Sequence, residues 1–230
     1  MAPSHRLALV AACLIPLVTP AGETGPWNPS YGRLAVSQNL AVQCRAATDA
    51  DDCAKAIEHH QASQGRFRRS GDLLTVLVPD GRQVELLDVP KERVGTIPDD
   101  KVSRYGYIEF LPSIGQHLVH VSGYEGSEFL LIDAKTGAKT LIFGLPMPSP
   151  AGRRVACRFL NWAVDAQRVE VWARTPQGFE KEWAQDTKWV PGFPEWLAED
   201  AFRVERVGAG ETGFETFSRS GSGWEQKAKH

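Results

Sequence analysis

Apolar and polar positions change texture twice along this chain. Leu7 to Val18 is an apolar run interrupted only by Pro16. Trp27 to Gln43 mixes apolar and polar residues without a clear period. Asp51 to Gln64 reads as a helix, with acids Asp49, Asp51 and Asp52 at its start, Ala-rich helix formers inside and Gly65 just past its end. After Gly65 the pattern becomes short apolar or alternating runs separated by polar turns, which predicts strands. Leu73–Val78 and Gln83–Val89 flank Pro79-Asp80-Gly81-Arg82, a turn in which Pro presets φ and Gly tolerates positive φ.

The strand pattern then repeats. Phe129–Ile142, Val169–Trp183 and Phe214–Lys227 are each an apolar strand, a polar turn and an alternating strand. Their turn glycines, Gly137, Gly178 and Gly223, lie 41 and 45 residues apart. A further strand precedes each hairpin (Gln116–Tyr124, Arg153–Phe159, Ala201–Val207), and a shorter element precedes that (Tyr105–Leu111, Leu145–Pro150, Phe193–Glu199). Four short strands per unit at a period near 40–45 residues are the mark of propeller blades. The expected fold is mainly β: propeller-like repeats of short antiparallel strands, three units plus a partial one formed by Leu73–Val89, with one N-terminal helix. Three segments follow: 1–21 as a signal peptide, 22–65 carrying the helix over 51–64, and 66–230 as the repeat domain.

Two motifs carry a resemblance. Pro148-Ser149-Pro150-Ala151-Gly152-Arg153-Arg154-Val155-Ala156 and Leu131-Ile132-Asp133-Ala134-Lys135-Thr136-Gly137 resemble elements of WD40-like repeats of the TolB type. Ala151 stands where that family usually has Asp. The resemblance is clearest over Tyr105–Glu182, and the stretch from Tyr124 to Ala156 also resembles a group of exported bacterial proteins. It implies a propeller-type sheet arrangement and a binding role, and it transfers no catalytic residue.

The N-terminus predicts export. The apolar run is too short to span a bilayer, and Thr19-Pro20-Ala21 offers small residues for cleavage after Ala21. The alternative is a lipoprotein anchored at Cys13, because Val10-Ala11-Ala12-Cys13 resembles a lipobox; a short buried N-terminal helix is a third reading. No later stretch is apolar enough to cross a membrane. The expected location is periplasmic or extracellular, where Cys44 and Cys53, with eight residues between them, can pair; two unpaired thiols are the other reading. Cys157 sits in a strand-like run as a buried thiol.

Charge and motif content narrow the function classes. Formal net charge is −2, and the only dense basic run is Arg66-Phe67-Arg68-Arg69, a pattern that usually marks a solvated strand edge or loop. Nucleic acid is therefore not an expected partner. There is no G-x-S-x-G and no phosphate loop. Adjacent His59 and His60 diverge on a helix, and His117 and His120 face opposite sides of a strand, so neither pair shares a metal easily. No metal and no cofactor are expected. Glu125, Glu128, Asp133, Asp165, Glu180, Glu182, Glu195, Glu199 and Asp200 are scattered, and sequence alone does not pair them as a hydrolase requires. Trp183, Trp189 and Trp196 cluster near Pro191-Gly192-Phe193-Pro194. They are candidate ligand or partner contacts on the functional reading, and wedges between neighbouring blades on the structural reading, which is the favoured one. The leading expectation is an exported, non-enzymatic binding module whose partner is an envelope protein or glycan, met by loops such as Pro90–Ser103 and Asn161–Gln167. A cell-envelope hydrolase acting on glycan or peptide is the rival. A dimer or partner chain completing an open sheet edge is a third possibility.

Overall fold

A computed structural model describes residues 35–227, apart from 91, 92, 94, 97, 99–101, 124–126, 162–165, 208–212 and 222. The proposed signal segment, Cys13, Tyr124, Glu125, Asp165 and parts of both expected contact loops lie outside these residues. After a short helix α1 (Gln38–Ala41) comes α2 (Ala50–Gln61), continued by a 3-10 turn over Ala62–Gln64. The predicted helix is thus found, its N-cap being Asp49, whose carboxylate accepts the Asp52 N–H at 2.8 Å. Gly65 ends it at φ 65°.

Among the described residues fifteen strands follow, grouped into four antiparallel meanders. The first sheet holds β1 (Phe67–Ser70), β2 (Leu73–Leu77) and β3 (Gln83–Leu87). The second holds β4 (Arg104–Leu111), β5 (Gln116–Ser122), β6 (Ser127–Asp133) and β7 (Lys139–Ile142). The third holds β8 (Met147–Pro148), β9 (Arg154–Asn161), β10 (Ala166–Thr175) and β11 (Gly178–Asp186). The fourth holds β12 (Val190–Ala198), β13 (Ala201–Val207), β14 (Gly213–Ser220) and β15 (Gly223–Gln226). The chain is therefore mainly β, in propeller-like units of four strands with a three-stranded first unit, and these units coincide with the sequence repeats.

Alternation along each strand gives every sheet two packing faces, and successive sheets share cores. Leu74, Val76, Val84 and Leu86 of the first sheet meet Tyr107, Val119 and Ile132 of the second. The other face of the second sheet (Ile108, Leu118, Leu131) packs with Ile57 of α2 and with Val155 and Cys157 of the third. Ala156, Val169 and Val171 then meet Phe202, Val204, Phe217 and Trp224 of the fourth.

Both resemblance motifs are turns that also tie neighbouring sheets. Asp133 Oδ1 accepts the N–H groups of Lys135 and Thr136 at 2.9 and 2.8 Å, and Oδ2 accepts Gln116 Nε2 at 2.8 Å. Burial opposes its charge, but these donors outweigh burial and hold the carboxyl below the ordinary aspartate value. Arg174 of the third sheet reaches it at 3.8 Å. In the second motif the Ser149 hydroxyl accepts the Arg154 N–H at 3.1 Å and donates to Glu199 of the fourth sheet at 3.0 Å. Glu199 also accepts the Ala151 N–H at 2.8 Å. Gly152 has φ 65°, and a Cβ there would lie 2.0 Å from the Ser113 carbonyl oxygen, so no side chain fits.

Cys44 and Cys53 form a disulfide with Cα atoms 4.5 Å apart, joining the segment before α2 to its first turn. Cys157 is a buried free thiol, and burial pushes its pKa up. Among the described residues no helix is long and apolar enough to cross a membrane. The disulfide is compatible with a periplasmic or extracellular protein.

The loop closed by this disulfide is short, and the chain-entropy relation assigns it about 2–3 kcal/mol. The Cys44→Ser/Cys53→Ser protein is expected to unfold at lower urea, by about that free energy, with its β signature in circular dichroism kept. A second expectation concerns pH. His117 and His120 are 2 % and 1 % exposed, and burial lowers both pKa values to about 4. Unfolded histidine binds protons near pH 6.5, so the unfolded state gains protons first as the pH falls. Stability is full above about pH 6.5 and declines toward pH 4, by an upper bound of about 3 kcal/mol per histidine. Urea midpoints across that range check it; a flat profile between pH 7 and 4.5 contradicts it.

Candidate functional site

The site begins with an edge strand. Among the described residues β4 pairs only with β5, so its other edge presents backbone groups that a sheet would normally satisfy with another strand. Side chains do this instead. Asp88 Oδ1 accepts the Tyr105 N–H at 2.8 Å, and Glu58 Oε2 accepts the Tyr107 N–H at 2.9 Å. The Arg69 guanidinium donates to the Tyr105 carbonyl. Arg69 also holds both carboxylates in place, donating twice to Glu58 at 2.8 Å and once to Asp88 at 3.1 Å. One guanidinium and two carboxylates thus stand where a strand would be.

Helix geometry brings Glu58 there. Asp51, Ala54 and Glu58 recur at helical spacing, so one face of α2 lies along β4. At its start Asp51 pairs with Arg104 at 2.6 Å. In its middle Ala54 lies against Gly106, where an added Cβ would fall 2.7 Å from the Ala54 Cβ. Only glycine at 106 lets helix and strand approach this closely. Further along, Glu109, 3 % exposed, accepts the Val36 N–H, the Ser37 N–H and the Ser37 hydroxyl, which fixes the chain entering α1.

Between α2, the first sheet and β4 lies a cleft of about 560 Å³. Its charged lining is Asp51, Glu58, Asp72 and Asp88 with Lys55, Arg69 and Arg104; His120 and Tyr105 complete the polar wall, beside Val89 and Pro90. Burial raises the Asp88 pKa, and the charges of Glu58 and Asp72 add to this, against the pull of the Tyr105 N–H and Arg69. Among the described residues nothing hydrogen-bonds the buried His120 Nε2 and Arg104 Nε. Among the described residues no three metal-ligating side chains converge.

The tryptophans take a different place. Trp183, Trp189 and Trp196 are half-buried and pack against the core shared by the third and fourth sheets. Trp183 stands 5.4 Å from the Phe217 ring, and Trp196 5.9 Å from that of Trp224, its Nε1 donating to the Met147 carbonyl at 2.8 Å. These are the contacts of wedges between blades. Glu182 is likewise a tie, held by Arg154 at 2.7 Å and Arg219 at 3.0 Å. His59 and His60 are exposed on α2, and His117 and His120 face opposite sides of β5.

The cleft residues escape sequence reading. The basic run is not simply solvated: Arg66 stacks over Phe110 at 4.1 Å, Arg68 is exposed, and Arg69 is the centre of the ion network. The available signals were the helical spacing of Asp51 and Glu58 and the position of Pro90 at the head of an expected contact loop.

No family model and no curated protein matches the chain. Among solved structures it is similar to a puromycin-hydrolyzing peptidase of Mycobacterium tuberculosis, at 16 % identity and a TM-score of 0.41. The alignment covers 71 % of this chain and 30 % of that one, and a likeness this distant transfers no activity.

Replacing Arg69 by Met leaves Glu58 and Asp88 buried without their counter-charge. The expected loss at pH 7 is about 3–5 kcal/mol. Because Asp88, freed of the Arg69 charge that lowers its pKa, then takes up a proton more readily in the folded state, the deficit relative to the parent protein shrinks as the pH falls toward 4.5. Urea unfolding at the two pH values checks both.

Proposed function

We propose that this chain is an exported, non-enzymatic binding module and that the cleft between α2, the first sheet and β4 is where its ligand sits. The observation that carries this is the state of the cleft's charged groups. Glu58, Asp88 and Arg69 are each engaged in several hydrogen bonds that hold backbone and side chain in place, so the wall is preformed. The side chains of Lys55 and Asp72 are exposed at the same cleft, and no hydrogen bond or ion pair engages them among the described residues. A rigid wall with free polar groups beside it suits recognition, where preorganisation lowers the ordering cost of binding. Export is supported by the disulfide and by the apolar N-terminal run, and the resemblance of the two turn motifs to TolB-type repeats agrees with a binding role.

A second reading, an envelope hydrolase acting on glycan or peptide, is favoured by Asp88, whose carboxyl is shifted upward inside a cleft holding further carboxylates. One experiment separates the two. The full-length protein is immobilised and exposed to cell-envelope extract, beside a Lys55→Ala/Asp72→Asn variant and a Glu195→Ala/Arg203→Ala control that removes an exposed ion pair on the fourth sheet. The binding reading expects specific retained material that the cleft variant loses and the control keeps. Retention indifferent to the cleft variant overturns it. So does release of cleaved fragments by the parent protein but not by an Asp88→Asn variant, and that outcome promotes the hydrolase.

A further inference from the structure

The cleft's unused hydrogen-bonding groups are of both kinds. On the donor side is the exposed Lys55 ammonium. On the acceptor side are the exposed Asp72 carboxylate and the Asp51 oxygen that Arg104 does not engage.

Charge decides which ligand matches. Four carboxylates line the cleft against three cationic side chains, and most of these are already paired with one another. An anionic ligand would approach the carboxylates of Asp51, Glu58, Asp72 and Asp88. A cationic ligand would supply no acceptor to Lys55. A hydroxyl group carries one donor and two acceptor lone pairs, so a ligand bearing several hydroxyls serves both sets without net charge. Tyr105, Val89, Pro90 and Ala54 add apolar surface along the same cleft, suited to the C–H face of a pyranose ring. A volume of about 560 Å³ falls within the range of small-molecule sites.

We infer that the cleft takes a neutral saccharide, its hydroxyls bonded by Lys55, Asp72 and Asp51 and its ring lying against Tyr105. The inference rests on the cleft being the ligand site proposed above.

The test presents the full-length protein to an array of neutral oligosaccharides built from hexoses and N-acetylhexosamines. Uronate-bearing oligosaccharides and dipeptides form two further arms, and calorimetry follows with each retained probe. The expected result is a neutral saccharide whose affinity changes little with ionic strength, because no ion pair forms. The Lys55→Ala/Asp72→Asn protein, whose changes lie on exposed side chains, is expected to bind that probe at least about tenfold more weakly with an unchanged circular dichroism spectrum. Retention of a uronate or dipeptide that falls steeply with salt, with no neutral sugar bound, overturns the inference. Silence of all three arms also overturns it. If envelope retention still depends on Lys55 and Asp72 in either case, the binding-module reading stands; if that dependence is absent too, both fall.

Discussion

The free edge of β4 is the constraint around which this structure is arranged. An edge strand left bare in a partly buried position would strand the Tyr105 and Tyr107 backbone groups away from water, which costs free energy comparable to a lost hydrogen bond for each. Here Arg69, Glu58 and Asp88 supply those bonds from three different elements, β1, α2 and the segment after β3. The same three side chains join the helix to the first and second sheets. A fourth strand would have satisfied the backbone without leaving any space. Side chains reach it from farther away, and a cleft remains among them.

That solution fixes the chemistry of the cleft. Glu58 and Asp88 sit beside the Arg69 guanidinium and Asp51 beside that of Arg104, and the backbone N–H groups of Tyr105 and Tyr107 take up remaining lone pairs of Asp88 and Glu58. Asp88 feels two neighbouring carboxylates as well as Arg69, and burial outweighs the attraction, so its pKa lies above the ordinary value. Asp133 shows the opposite balance. Its exposed turn supplies donors enough to overcome desolvation, so its pKa falls below the ordinary value. Two aspartates of one chain are thus shifted in opposite directions by the number of donors that reach them.

Stacking of the sheets depends on a second, more repetitive device. Turn residues that organise their own hairpin also bond the next sheet: Asp133 meets Arg174, and Ser149 with Ala151 meets Glu199. Between the third and fourth sheets the aromatic core of Phe202, Phe217 and Trp224, with Trp183 and Trp196 wedged against it, adds apolar area to these polar ties. The first sheet is joined to the second in the same way, Arg82 donating to the carbonyls of Lys135 and Thr136. An apolar core and polar ties together join each pair of successive sheets.

Sequence by itself determined the repeat. Period-2 alternation, turn glycines at 41- and 45-residue spacing and the capping acids of α2 are written in residues a few positions apart, where backbone preference and side-chain alternation act directly. The proximity of Cys44 and Cys53 was legible for the same reason. Tertiary structure alone decided the cleft. Arg69 meets Asp88 across 19 residues, and Tyr107 meets Glu58 across 49; no local period links such positions. What each tryptophan packs against was likewise open until the fourth sheet was laid against the third, because the same apolar ring serves a platform or a wedge. Arg66, Arg68 and Arg69 look alike in sequence, and what separates them is what the second sheet and α2 bring against each: Phe110 against Arg66, solvent against Arg68, and Glu58 against Arg69.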